Sequence, residues 1–215
     1  MAVCLATIAG YVDAYGFLTF KTFVSFMSGN TTQSGYTLGQ GGFAAAVPAL
    51  LAILFFVTGV FAGTLLTSSR MRQSRGLLYG AISVFLALTI GVTHIASFTS
   101  DLGIVMLSFT MGMMNTAFSR VGKQTVNLTF VTGTLSQIGR HLALAFRRAP
   151  LPDSQGQRDT HLRRAALLTV IWVGFLAGAI LGGIATPRFG VWILLIPLLI
   201  MLTLAVSCRA QSADG

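Results

Sequence analysis

Apolar residues gather in six long runs, at 2–20, 43–67, 76–96, 102–119, 165–185 and 189–207, and all but the first are free of Asp, Glu, Lys and Arg. Each has about the 20 residues that an α-helix needs to cross the hydrocarbon of a bilayer. The pattern predicts an all-α membrane protein of about six transmembrane helices. Two further stretches, 22–40 and 124–146, are richer in Ser, Thr, Gly, Asn and Gln. Unpaired backbone costs several kcal/mol in hydrocarbon, so each of these is expected to be broken or re-entrant and to lie inside the bundle.

Composition narrows the class. With 54% hydrophobic and only 9% charged residues, a chain of 215 residues has too little polar surface to coat a soluble globule. The net charge of +9 sits in short clusters between apolar runs, where the cytoplasmic preference of Lys and Arg explains it and nucleic acid need not be invoked. If both polar stretches crossed the membrane, the Arg-rich loops 70–75 and 147–164 would fall on opposite sides. If each turns back, both loops are cytoplasmic, twelve of the fourteen basic residues lie inside, and only Lys21 and Arg188 lie outside. The second arrangement is expected, with both termini cytoplasmic. The amino terminus has no basic region of a secretory signal and reads as the first span, while 209–215 reads as a disordered tail. Cys4 and Cys208, near opposite ends, form no disulfide or metal pattern.

Internal similarity points the same way. Residues 26–35 align without a gap on 130–139, matching Phe, two Gly and one Gln and pairing Ser with Thr twice. Upstream, 10–13 resembles 112–115, and downstream 59–63 resembles 174–178. The chain reads as two repeats, 1–100 and 101–208, each of three helices with one polar segment. An odd number of crossings per unit would turn the second copy upside down, a construction common among transporters.

The polar segments carry the candidate site. Gly29 and Gly133 permit a break or close packing, while Ser28, Asn30, Thr31, Gln33, Thr132, Thr134 and Gln137 offer neutral donors and acceptors. Such a lining suits a small polar solute or a partly dehydrated ion, and it equally suits glue between helices. Asp13 is the sharpest residue, the sole acidic side chain within an expected crossing. It would serve as a proton carrier or cation partner, or as a hydrogen-bonding anchor for packing. Asn115 is its neutral counterpart in the repeat. His94, His141 and His161 show no ligand spacing and the chain contains no Glu, so no metal centre and no cofactor is expected. Hydrolase and nucleotide-binding motifs are absent, and no enzyme is expected.

The runs Ala9-Gly10-Tyr11-Val12-Asp13-Ala14, Ser25-Phe26-Met27-Ser28-Gly29-Asn30-Thr31 and Thr129-Phe130-Val131-Thr132-Gly133-Thr134-Leu135 resemble the YoaK-type bacterial membrane proteins, a family of unknown function. That resemblance covers nearly the whole chain. It implies a bacterial inner-membrane protein of about six helices and brings no substrate, cofactor or catalytic residue. The expectation is a small-solute or ion transporter whose polar segments and Asp13 meet near the midplane, with the lipid bilayer as its surroundings and a homodimer left open. A membrane scaffold or accessory subunit is the alternative.

Overall fold

In a computed structural model of the protein, the residues described are 1–68, 74–93, 99–117, 131–151, 154, 156 and 159–213. They form eight α-helices: α1 (Ala2–Phe20), α2 (Met27–Gly39), α3 (Phe43–Ser68), α4 (Ser74–Val92), α5 (Ser100–Thr116), α6 (Val131–Phe146), α7 (His161–Phe189) and, after a 3-10 turn at Gly190–Leu194, α8 (Leu195–Ala213). No strand occurs among the described residues. The six apolar runs coincide with α1, α3, α4, α5, α7 and α8. Among the described residues four stretches are long and apolar enough to cross a membrane: Ala2–Phe20, Phe43–Ser68, Ser74–Val92 and His161–Arg209, the last containing α7 and most of α8. At 17 residues α5 is shorter, about 26 Å long at 1.5 Å per residue.

Local chemistry sets several helix ends. Thr99 and Thr160 cap α5 and α7, their hydroxyls accepting from the N–H groups of Leu102 at 3.3 Å and Arg163 at 3.2 Å. The Thr160 cap starts α7 at His161, four residues before the expected span. At the far end α8 continues to Ala213, so residues 209–213, expected as part of a disordered tail, are helical. Once a helix is nucleated, each further residue such as Arg209, Ala210 or Gln211 adds a hydrogen bond at little cost. Within the apolar helices, hydroxyls bond to carbonyls one turn back, as Thr89 does to Phe85 at 2.8 Å and Ser83 to Tyr79 at 2.8 Å. Lipid offers them no other partner.

α1 packs on α7 and α5 packs on α3, while α4 lies between α5 and α8; α2 rests on α3, and α6 on α7. Leu5, Tyr15, Leu78, Tyr79, Leu107 and Met111 belong to the fully shielded core between these helices. Glycines set the closest approaches. A methyl at Gly10 would collide with the Phe175 carbonyl of α7, and one at Gly112 with the Phe56 carbonyl of α3. From the other side, Gly178 meets the Thr7 carbonyl and Gly182 meets Tyr11, while Gly59 meets the Phe109 carbonyl and Gly63 meets Met113. Backbones that approach this closely gain dispersion contacts, which drive helix association where no hydrophobic effect operates.

These contacts also give directions. Residue numbers rise together across α1 with α7 and across α3 with α5, so both pairs run parallel. By contrast, Gly76 at the start of α4 lies against Ala205, Cys208 and Arg209 at the end of α8, so that pair runs antiparallel. The glycines with equivalent contacts are Gly59 and Gly63 with Gly178 and Gly182. That register is one helical turn further along than the sequence match of 59–63 with 174–178.

Candidate functional site

α1 ends at Phe20 because Lys21 adopts a left-handed conformation, φ 56°, with its N–H closing back on the Phe17 carbonyl. The chain then reverses. Five residues later its backbone is again beside α1, where the Asp13 carboxylate accepts from the N–H groups of Val24 at 3.0 Å and Ser25 at 2.8 Å. Asp13 lies seven residues before Phe20, so the returning strand of chain descends about 10 Å along α1. Asp13 is 6% exposed, and no basic side chain pairs with it among the described residues. Gly16 makes room for this return, since a methyl there would strike the side chain of Val24.

Asn30, wholly buried in the first turn of α2, holds the same reversal from the other side. Its amide donates to the Phe23 carbonyl at 2.6 Å. Phe23 and Phe26 stack edge to face, with centroids 5.2 Å apart, and the Phe26 ring covers Gly29, where any side chain would displace it. Segment 21–26 is thus non-helical backbone satisfied by Asp13, Asn30 and its own turn. Such backbone survives at membrane depth only when protein covers it in this way.

The remaining candidates divide. Gly133 and Thr134 of α6 are buried; Asn115, Gln33 and Gln137 are half-buried; Ser28, Thr31 and Thr132 are exposed. The Thr31 hydroxyl is spent on the Met27 carbonyl at 2.8 Å, within its own helix. Among the described residues α2 packs chiefly on α3 and α6 on α7. Asp13 and Asn115 do lie on neighbouring helices, α1 and α5. Residues 124–130 of the second polar stretch lie outside the described residues.

One pairing has no sequence signature. His141 of α6 and His161 of α7 are both buried and face each other, Nδ1 to Nδ1, at 2.9 Å. One ring must donate and the other accept. Twenty residues and an intervening loop separate them, so only the packing of α6 on α7 joins them. No group of three metal-ligating side chains forms among the described residues.

A family described as "Protein of unknown function (DUF1275)" matches residues 1–207. The chain belongs to this family. Its relatives include the UPF0700 transmembrane protein RA0705 of Rhizobium meliloti (strain 1021), 32% identical over 96% of this chain and 84% of the relative. The UPF0700 transmembrane protein YoaK of Bacillus subtilis (strain 168) is 24% identical over 97% of this chain and 92% of its own length. No solved structure matches. Family membership and the long apolar helices together make this a membrane protein in contact with the lipid bilayer.

Proposed function

We propose that this family member is a small secondary transporter or permease for a small polar solute or ion, without enzymatic activity or cofactor, in the bacterial inner membrane. The observation that carries the reading is the Asp13 carboxylate, buried without a basic partner and bonded to non-helical backbone inside the bundle. Charges and unwound segments at this depth are costly, and transporters place both at their binding sites.

The directions of the helices support two inverted halves, α1 to α4 and α5 to α8. Copies related by an axis in the membrane plane run their equivalent helices antiparallel, as α4 and α8 do; a direct repeat would make them parallel. The α1·α7 and α5·α3 pairs are then one contact made twice. The same packing favours six crossings with both polar segments turning back. The start of α4 lies beside the end of α8, and Met1 and Val3 share a cleft with Arg163 at the start of α7. With α7 and α8 as successive crossings, both termini and both Arg-rich loops share one face, the cytoplasmic one by charge.

Single-cysteine variants in intact cells test both parts. Ser100→Cys is expected to react with an impermeant thiol reagent from outside and Ser154→Cys to be protected. Asn30 and Thr134 are buried in this conformation, so a transporter must visit a second one that opens them to water; Asn30→Cys and Thr134→Cys are then expected to react with a small water-borne reagent, because thiolate forms only where water reaches. Protection of both would remove the hydrated path and with it the transport reading.

A membrane scaffold or homodimer is favoured by one different observation. Ser28, Thr31, Thr32 and Gly35 form an exposed face of α2, with open space beside Gly35 and Gly39. A second helix fits such a face better than lipid does.

A further inference from the structure

Helices α7 and α8 follow one another in the chain, yet α7 packs chiefly on α1 and α8 on α4. The chain leaves α7 at Gly190, φ 53°, and regains an α-helix only at Leu195. Between α1, α7 and α8 this leaves a groove of about 390 Å³, walled by Thr7 and Tyr11, Ile184 and Arg188, and Ile196 and Pro197 among others. Ile184 and Ile196 are exposed, so the groove opens on the outer surface of the bundle, where lipid lies. Arg188 is the sole charged residue of the lining, one residue before the end of α7. Its guanidinium has five N–H donors and uses one, on the Ile184 carbonyl of its own helix at 3.0 Å. No carboxylate pairs with it among the described residues. Arg163 and Arg188 stand 25 residues apart on α7, about 38 Å of helical rise, close to the thickness of a bilayer with its headgroups. Each end of α7 thus carries an arginine to a headgroup layer, and the groove below Arg188 lies in hydrocarbon.

We infer that this groove binds one anionic phospholipid of the leaflet opposite Arg163, with an acyl chain between α1, α7 and α8 and the phosphate on Arg188. A groove left empty beside hydrocarbon forfeits dispersion contacts on one side, and an acyl chain restores them. The free N–H groups of the guanidinium match a phosphate with two parallel bonds, which an ammonium could not offer. A headgroup of net negative charge fits better than a zwitterionic one. The lining holds no acidic side chain to receive a headgroup ammonium, which would instead stand beside the positive charge of Arg188.

The site holds whether or not the protein transports, and binding alone tests it. The full-length protein in detergent is unfolded thermally, followed by Trp172 and Trp192 fluorescence, with added phosphatidylglycerol, phosphatidylcholine or glycerol phosphate. Phosphatidylglycerol is expected to raise the melting temperature saturably and well beyond any effect of the other two. Arg188→Gln loses only a bond to its own helix, so it should fold normally and weaken half-saturation about tenfold. Arg140→Gln removes the same charge from an exposed position on α6 and should leave half-saturation unchanged. Ala185→Trp adds a ring to the groove wall and should abolish the response with Arg188 intact. Equal curves with the two phospholipids, an equal response to glycerol phosphate, or Arg188→Gln and Arg140→Gln behaving alike would overturn the site.

Discussion

Asp13→Ala is expected to lower the unfolding free energy by about 3–5 kcal/mol, because it strands the N–H groups of Val24 and Ser25 where no water or other acceptor reaches them. The loss should appear as a large drop in recovery of monodisperse protein from membranes and in the detergent melting temperature. Asp13→Asn keeps one acceptor oxygen in place and should lose about 1–2 kcal/mol. The pair of variants separates the two parts played by this residue. Its hydrogen bonds are needed for the reversal at 21–26, while its charge is needed only for a cation or proton. An Asp13→Ala protein as stable as wild type would show that segment 21–26 is held by other contacts.

Gly178→Val is expected to be about as damaging. A side chain there collides with the Thr7 backbone carbonyl of α1, which cannot rotate away as a flexible side chain can. Helices α1 and α7 would have to separate, at a cost of about 3 kcal/mol or more. Gly59→Val strikes the equivalent Phe109 carbonyl across α3 and α5 and should behave alike. Gly183→Ala, a neighbour with nothing within 4 Å, is the control and should change stability little or slightly raise it. Equal melting temperatures for Gly178→Val and Gly183→Ala would contradict the packing.

Much of this was legible beforehand for a simple reason. Lipid demands a run of about 20 apolar residues wherever a helix crosses, and that demand is local, so α1, α3, α4, α5, α7 and α8 stand out in the chain. The polar character of 22–40 and the rarity of a charge at Asp13 were equally visible. Gly10 and Gly112, which the sequence match of 10–13 with 112–115 pairs, each lie against a backbone carbonyl of a neighbouring helix.

Other features depended on what lies across the bundle. The downstream glycines recur every four residues, so they look alike in sequence; only the packing shows that Gly178 meets the Thr7 carbonyl as Gly59 meets that of Phe109. The partners of Asp13 are backbone N–H groups, which every residue but proline carries, so no residue type could mark them. His141 and His161 meet because α6 lies on α7, which no spacing along the chain marks. The solvent, the helices and the residues too polar to face lipid follow from the composition of each segment and can be read along the chain. The tertiary structure alone decided which of those polar residues meet, because that depends on helix direction and register, and the bilayer imposes neither.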